Sequence, residues 1–336
     1  MKPNNLNVLR LMAAFLVLVG HSYIFLGMKE PLFLSWLHLG PLGVYVFFII
    51  SGYLITQSWD RDPSLYRFLV KRNLRIFPGL AVCIFLMVFF LGPLVTVHPI
   101  PDFFNKATTW RFFSNVILYP VYYLPGVFEN SLVPNAVNGS LWSLPVEFFM
   151  YFMVAIIGAL GLKKLSVTGL VLIFACLTYF WAWNDQDMLV VYGTDLRQIC
   201  ICGTYFWVGA TIWKYNLTRY FTLSTALLAV FAMITLEAWP KYLHVMSWFL
   251  LPIVVLSFGL SHSPVLEKII RGRDYSYGIY IYAFPVQQTV VYFYPKISLG
   301  LYVFLCSIIT LILAAFSWHL VENKALAWKP TKPVSK

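Results

Sequence analysis

Long apolar runs alternate with short polar stretches along almost the whole chain. Ten of these runs are close to the roughly 20 apolar residues that a helix needs to cross a membrane. They are residues 6–26, 40–58, 76–96, 140–160, 166–183, 196–213, 220–237, 243–260, 275–293 and 298–320. The pattern predicts an all-α polytopic membrane protein, a bundle of about ten transmembrane helices, in a single domain over residues 1–336.

The composition agrees with this class. The 336 residues are 60% hydrophobic and 11% charged, whereas a soluble domain has roughly 45–50% apolar and about 25% charged residues. A formal net charge of +11 would suggest nucleic acid in a soluble protein. Here the basic residues cluster between the apolar runs, where they set membrane topology. We therefore expect membrane lipids around the chain and no nucleic-acid partner.

The basic residues also predict an orientation. With the N-terminus on the inner side, 18 of the 24 Lys and Arg residues fall on inner segments and six on outer ones. Inner loops carry the excess of Lys and Arg, so both termini are predicted to be cytoplasmic. Two connections stand out, a short basic inner loop at 59–75 and a long aromatic outer segment at 97–139. The outer segment either lies along the membrane interface or dips into the protein, which then covers its backbone.

Two ionisable residues, Arg10 and His21, interrupt the first apolar run. On a helix they lie roughly 16 Å apart, about half of a ~30 Å hydrocarbon core. Ionisable side chains inside a membrane span are costly and by default mark functional sites. A neutral imidazole can take a proton from a hydroxyl and return it, so His21 is a candidate general base. Alternatively, Arg10 reaches a lipid headgroup and His21 is a hydrogen-bonded packing residue.

Glu147 is the candidate acidic partner of His21. It lies about 10 Å into a helix predicted to enter the membrane from the outer side, a depth similar to that of His21. A carboxylate there could orient the imidazole, as the acidic member of a catalytic triad does. Alternatively, this carboxyl is protonated or paired with an arginine. Trp142, Ser143 and Tyr151 are candidate supporting residues, and hydroxyl donors near Ser143 or Tyr151 could hold an oxyanion.

Arg72 and Arg75 lie three residues apart at the inner end of the third run, so they share one face of a helix. Two guanidinium groups on one face suit phosphate oxygens, although topological anchoring also explains basic residues here. The sequence has no histidine pattern with metal-ligand spacing, no glycine-rich phosphate loop and no serine-esterase elbow. We therefore predict no metal site.

Several blocks of the sequence together resemble the integral-membrane acyltransferase family 3. In the order of the family, they are the pair Arg10 and His21 and residues 46–55, 68–78, 141–147 and 276–280. The resemblance implies ten or so membrane helices in the bacterial inner membrane. It also implies O-acetylation of sugars, commonly those of surface polysaccharides such as lipopolysaccharide O-antigen or exopolysaccharide, with acetyl-CoA as the usual donor.

The resemblance further implies roles for individual residues. His21 would be catalytic together with Glu147, and Arg72 and Arg75 would bind the acetyl-CoA phosphates with help from Arg10. Acetyl-CoA is then a donor substrate, no cofactor is bound permanently, and the acceptor is a glycan or a lipid-linked sugar. Ala283 stands near the place where many members carry a second histidine, so a proton relay through that histidine is not expected.

A different functional class remains open at this point. A proton-coupled transporter or flippase of a glycolipid could use His21 and Glu147 as a proton relay. Such carriers often show two related halves with broken helices, and the sequence shows no convincing internal repeat. The choice between direct transfer and an acyl-enzyme also stays open.

Overall fold

The computed structural model describes residues 4–161, 163–182, 188–265 and 273–330, and within them the chain is almost entirely helical. The α-helices in chain order are α1 (Leu6–Phe25), α2 (Leu39–Arg61), α3 (Leu65–Leu86), α4 (Gly92–Val95), α5 (Ile100–Asn105), α6 (Ala107–Arg111), α7 (Ser143–Ala159), α8 (Lys164–Leu177), α9 (Leu196–Lys214), α10 (Leu223–Thr235), α11 (Pro240–Leu260), α12 (Ser276–Phe293), α13 (Leu299–Ser317) and α14 (Asn323–Leu326).

Short segments of other regular structure extend or join these helices. The 3-10 and π-helical segments are Met87–Leu91, Phe112–Ile117, Gly139–Trp142, Thr178–Ala182, Leu217–Tyr220, Leu236–Ala238 and Trp318–Glu322. The described strands form two short antiparallel hairpins, β1 (Leu32–Phe33) with β2 (Leu37–His38) and β3 (Val190–Val191) with β4 (Thr194–Asp195). Each hairpin leads directly into a long helix, β2 into α2 and β4 into α9.

Seven segments of the described residues are long and apolar enough to cross a membrane. They are Leu6–Phe25, Leu39–Arg61, Leu65–Val95, Gly139–Ala159, Lys164–Ala182, Pro240–Leu260 and Leu299–Leu326. The other three predicted runs are also helical, as α9, α10 and α12. The prediction of an all-α polytopic membrane bundle is therefore confirmed, whereas the count of about ten spans and the cytoplasmic position of both termini stay predictions. Several residues used in those predictions lie outside the described residues: Lys2, residue 183, Lys268, Arg271, Lys332 and Lys336.

Helix α12 shows why fewer segments are apolar enough to count as membrane spans than the pattern of apolar runs predicts. It lies inside the bundle and buries polar side chains whose N–H groups donate to its neighbours. Gln287 donates hydrogen bonds to the Leu18 carbonyl (2.8 Å) and to the Ser22 hydroxyl (2.9 Å), both on α1. A helix surrounded by other helices can carry such groups because they do not face lipid.

The basic loop predicted for 59–75 is mostly helix. Helix α2 continues to Arg61 and α3 already begins at Leu65, so the turn comprises only three residues. Asp62 in this turn accepts hydrogen bonds from Arg67 on the first turn of α3, the shortest of 2.6 Å. These bonds hold the pKa of Asp62 well below its usual range. The predicted boundary is wrong because polar residues on an exposed first helical turn were assigned to the loop.

The long segment 97–139 packs against the bundle through several of its apolar side chains. Phe103 and Leu124, for example, have no exposed surface. Asn138, at the end of the segment, donates a hydrogen bond to the Ile281 carbonyl on α12 (2.8 Å). Of the two predicted alternatives, the structure favours the one in which protein covers much of this backbone.

Close contact between backbones fixes α2 at the centre of the bundle. A Cβ atom at Gly52 on α2 would collide with the Phe206 carbonyl on α9, so only glycine allows this approach. Helix α2 also contacts α1, α7 and α11. The helices that carry the candidate site residues, α1 and α7, are therefore held against one central element.

Candidate active site

Arg10 and His21 lie near opposite ends of α1, which runs without a break between them. They line different cavities. The His21 cavity, of about 730 Å³, includes His21, Glu30, Tyr45, Trp142, Asp195 and Tyr280 in its lining. The Arg10 cavity, of about 30 Å³, includes Arg10, Phe47, Ser143, Glu147, Tyr277 and Tyr280. Val44 and Tyr280 line both cavities and so form the boundary between them.

The imidazole of His21 is held by aromatic rings. Phe25 and Phe284 contact it edge-on, with ring centroids 6.3 and 5.4 Å away. The buried Nδ1 atom has no hydrogen-bond partner, which is costly for a buried polar atom. His21 Nδ1 therefore does not make the hydrogen bond that the alternative interpretation expects, and the His21 side chain instead lines a cavity that can admit a ligand.

The Glu147 carboxylate is bound by hydroxyl groups of α2 and α7. Its Oε1 atom accepts hydrogen bonds from Ser51 (2.8 Å) and from Tyr151, one turn further along α7. The Tyr151 ring in turn lies beneath the Arg72 guanidinium, whose carbon is 5.9 Å from the ring centroid. Glu147 thus reaches Arg72 through Tyr151.

The expected contact between Glu147 and His21 is not formed. Glu147 faces the Arg10 cavity, His21 faces the other cavity, and Val44 and Tyr280 lie at their boundary. Depth along the helix axis is the only basis of the predicted contact, and Glu147 lies instead in the lining of the cavity that contains Arg10. Depth alone could not tell which neighbour each side chain faces, because that depends on the rotation of the helix about its axis.

Arg10 and Arg75 converge on one carboxylate. The Oδ2 atom of Asp274 lies 2.6 Å from both guanidinium groups, and Arg75 also pairs with Glu322 at 3.3 Å. The other oxygen of Asp274 accepts from the backbone and hydroxyl of Ser276 at the start of α12. Burial alone would raise the pKa of Asp274. The two arginines and Ser276 lower it by more than burial raises it, so that the pKa is about 2. Asp274 is therefore a carboxylate that ties α1 and α3 to α12.

Arg72 has a different environment from Arg75, although the two share one helix. It donates a hydrogen bond to the Ser58 hydroxyl (3.2 Å), and its buried Nε has no partner. Within the described part of the chain, no carboxylate pairs with Arg72. The predicted pair of equivalent arginines is thus one residue in ion pairs and one residue that forms no ion pair with the described residues.

Two hydroxyl groups stand at the boundary between the cavities. Ser143 Oγ and Tyr280 Oη lie 2.5 Å apart. Ser143 begins α7, directly after Trp142, which lines the His21 cavity. Of the predicted supporting residues, the structure thus places Trp142 with His21, Ser143 at the boundary and Tyr151 with Glu147.

Sequence reasoning assigned no role to Glu30, Asp195 or Tyr280. Tyr280 lies within the resembling block 276–280, but an aromatic residue in an apolar run gives no signal of its own. Glu30 and Asp195 lie in short connections on the same predicted side as the end of α1 that carries His21. That shared side was the available signal. No group of three or more His, Cys, Asp or Glu side chains that could hold a metal ion occurs among the described residues.

Comparison with known proteins identifies the family of the chain. The model of acyltransferase family 3, an acyltransferase domain, matches residues 4–319. An O-acetyl transferase of Shigella phage Sf6 is 30% identical over 97% of this chain and 96% of its own length. Nodulation protein 10 of Rhizobium leguminosarum bv. viciae is 28% identical over 96% of this chain and 93% of its own length.

A peptidoglycan O-acetyltransferase of Listeria monocytogenes is 29% identical over 54% of this chain and 31% of its own length. No solved structure matches the chain. The family match includes Arg10, His21, Arg72, Arg75 and Glu147 and covers nearly every helix. The chain therefore belongs to the integral-membrane acyltransferase family 3 and is a multi-pass membrane acyltransferase.

Proposed function

We propose that this acyltransferase moves an acetyl group from cytoplasmic acetyl-CoA to a sugar hydroxyl of a bacterial surface polysaccharide, such as lipopolysaccharide O-antigen or exopolysaccharide, at the inner membrane. Two of the relatives are named as O-acetyl transferases, one of them of peptidoglycan. The observation that carries the proposal is the arrangement along α1. An imidazole whose Nδ1 has no partner among the described residues lies near one end, and a group of guanidiniums lies near the other. Val44 and Tyr280 line the cavities of both.

The donor would bind through its phosphates at the arginine end of this arrangement. Arg72 is the first candidate, because its guanidinium pairs with no carboxylate of the described residues and planar N–H donors suit phosphate oxygens. Arg10 and Arg75 already share Asp274, so they would contribute with their remaining N–H groups. Acetyl-CoA arrives as a substrate, and the proposal needs no permanently bound cofactor.

The pantetheine arm would reach His21 through the Arg10 cavity. At about 30 Å³ that cavity holds roughly one water molecule, so donor binding has to open it. Displacement of the Tyr280 side chain would join the two cavities. Glu147 lines this path and holds Tyr151 against Arg72, so we assign it a role in positioning the donor rather than the imidazole.

The chemistry would take place at His21. The imidazole takes the proton of the sugar hydroxyl while the hydroxyl oxygen attacks the thioester carbonyl. The carbon–sulfur bond then breaks, and the CoA thiolate receives the proton from the imidazolium. The Ser143 and Tyr280 hydroxyls lie close enough to the boundary to donate to the oxyanion. In the two-step alternative, His21 is acetylated first and the sugar then attacks the acetylated ring.

Acetyl transfer by membranes that carry His21→Ala tests this proposal. Radiolabelled acetyl-CoA is the donor, and incorporation into surface glycan is measured. We expect activity to fall by about 10²–10⁴-fold, the usual contribution of a general base. His98→Ala is the matched control, because His98 contacts Lys106 in the segment 97–139 and lines neither cavity. Activity of His21→Ala close to that of the control would remove His21 from the mechanism.

The transporter alternative needs a separate measurement. Protein purified in detergent has no second compartment, so CoA release and glycan acetylation in detergent report transfer chemistry alone. We expect both products in equal amounts. Binding of a glycolipid without either product would favour the transporter.

A further inference from the structure

The charges around the His21 cavity are unevenly distributed. Two carboxylates line it, Glu30 and Asp195, together with the amide of Gln198. Among the described residues, no Lys or Arg belongs to its lining. This contrasts with a chain of net charge +11, in which basic residues outnumber acidic ones almost two to one.

Glu30 is a fixed part of the cavity wall. Its Oε1 atom accepts a hydrogen bond from the Gly40 backbone (2.9 Å) on the first turn of α2, and Oε2 lies 3.4 Å from the His38 ring. The start of a helix favours a negative charge. A Cβ atom at position 20 would collide with Oε1, so Gly20 lets the carboxylate lie directly against α1, beside His21.

Asp195 forms the opposite acidic element at the start of α9. It accepts from the Arg197 backbone (2.9 Å) and pairs with the Arg197 guanidinium (2.8 Å). Its position is therefore fixed by its own helix, as that of Glu30 is by α2. Arg197 is not part of the cavity lining, so the cavity itself presents carboxylate oxygens and not the guanidinium.

Aromatic rings complete the wall. Tyr45, Tyr122 and Trp142 line the cavity with the two carboxylates, and Tyr45 is itself stacked on Tyr205 at 4.5 Å. A cavity of about 730 Å³ lies within the range of roughly 300–1,000 Å³ that is usual for small-molecule sites. Apolar ring faces and a few fixed acceptors are suited to a ligand with both carbon–hydrogen faces and hydroxyl donors, which describes a pyranose sugar.

We propose that the His21 cavity is the acceptor site and that Glu30 and Asp195 make it selective for an uncharged sugar over an acidic one. The proposal rests on the function proposed above, because it takes His21 as the base. Sugar hydroxyls donate to the two carboxylates, and hydrogen bonds to a charged acceptor are the stronger kind. A uronic or other acidic sugar adds a third negative charge to a partly enclosed space whose described lining contains no Lys or Arg, and His38, which also lines it, already contacts Glu30.

Glu30 could in principle serve only to hold the start of α2. Glu30→Gln separates these roles, because the amide oxygen can still accept from Gly40 while the negative charge is lost. Glu129→Gln is the matched control. Glu129 also accepts a hydrogen bond from a glycine backbone, that of Gly126 at 2.9 Å, but it does not line the His21 cavity.

The experiment uses purified full-length protein, acetyl-CoA and two acceptors that differ only in charge, an alkyl hexoside and the corresponding alkyl hexuronide. Wild-type protein is expected to favour the hexoside in kcat/KM by on the order of 100-fold, since like charges in an interface are strongly unfavourable. Glu30→Gln should reduce that ratio by roughly tenfold, the effect of one charge, with the KM for acetyl-CoA unchanged. Asp195→Asn should act in the same direction, and Glu129→Gln should retain the wild-type ratio.

The outcomes separate this inference from the proposed function. Equal use of both acceptors by wild-type protein, or an unchanged ratio in Glu30→Gln, overturns the selectivity even if transfer depends on His21. Acetylation of the native glycan by an enzyme that accepts neither glycoside also overturns it. Transfer that persists in His21→Ala instead overturns the proposed function, and the acceptor assignment with it.

Discussion

The two ends of α1 differ in how their charged groups are paired and in the size of the cavity beside them. At the Arg10 end, opposite charges are packed together: Arg10 and Arg75 share Asp274, and little space remains, about 30 Å³. At the His21 end, the space is about 730 Å³ and the imidazole Nδ1 has no partner. One end is nearly closed and holds Arg10 and Arg75 in ion pairs, whereas the other opens to a larger cavity beside the imidazole.

Under the proposed function, this difference indicates which of the two substrates has a preformed binding site. On this proposal, the open end would accept a sugar without rearrangement, whereas the donor would have to open the closed end. Binding energy from the CoA phosphates, far from the reacting thioester, would then be used to move the boundary residue Tyr280. Such coupling would also protect the thioester from water, because in this proposal the path to His21 forms only when donor is bound.

Loss of Arg75 is expected to have the largest effect on the closed end. Arg75→Ala leaves Asp274 short of one of its two cations and leaves buried Glu322 without its cation. Removing one partner of a buried ion pair costs roughly 3–5 kcal/mol. Thermal unfolding of purified protein in detergent measures this cost as a fall in Tm.

Arg219→Ala is the control for this experiment, because Arg219 is exposed beside Tyr220 and surface changes usually stay within about 0.5 kcal/mol. Adding Asp274→Asn to Arg75→Ala should recover part of the lost stability, because it removes an undercompensated charge. A Tm like that of wild type, with only a higher KM for the donor, would show that Arg75 binds ligand and does not hold the closed end together.

The sequence is a better guide to the candidate site residues at the two ends than to the residues that contact them. Arg10, His21, Arg72, Arg75 and Glu147 all stand out in the sequence because a charged or ionisable residue is conspicuous in an apolar run or at its end. Their partners were not found. Asp274 comes from a connection nearly 200 residues beyond Arg75, and nothing in the local pattern relates the two.

The helical bundle itself was predictable because apolar runs of membrane length have few alternative structures. The start of α3 was placed too late, since polar residues on its first turns look like a loop. The contact between Glu147 and His21 was wrong for a different reason: it requires the rotation of two helices about their axes. That rotation is set by packing, such as the contact of Gly52 with α9, and one sequence does not reveal it.

Arg72 is expected to affect donor binding more than stability. No described carboxylate pairs with it, so Arg72→Ala leaves no buried charge behind. Loss of hydrogen bonds to a charged phosphate corresponds to about 1.5–3 kcal/mol, so we expect the KM for acetyl-CoA to rise roughly 10- to 150-fold while kcat changes little. The comparison donor is S-acetyl-pantetheine, which lacks the nucleotide phosphates and whose KM should not change.

The neighbouring Lys71→Ala serves as the control, because Lys71 pairs with Asp62 at 2.8 Å and should leave the KM for both donors near wild type. An equal loss with acetyl-CoA and S-acetyl-pantetheine would mean that Arg72 supports the path and not the phosphates. The assignment of Arg72 to donor binding and of Arg75 to stability would then be wrong.

Substitutions at the boundary between the two cavities are expected to have the smallest effect on activity. Ser143→Ala and Tyr280→Phe each remove one of two hydroxyls that lie 2.5 Å apart. Each should lower kcat by roughly tenfold, less than the 10²–10³ typical of a fixed oxyanion donor, since the other hydroxyl remains. Neither should change the KM for donor or acceptor.

The double variant tests whether the remaining hydroxyl compensates, because its loss in kcat should then exceed the product of the single losses. If Tyr280→Phe instead raises kcat/KM for acetyl-CoA while Ser143→Ala has no effect, Tyr280 acts only as a barrier, and the oxyanion must be stabilised by other donors.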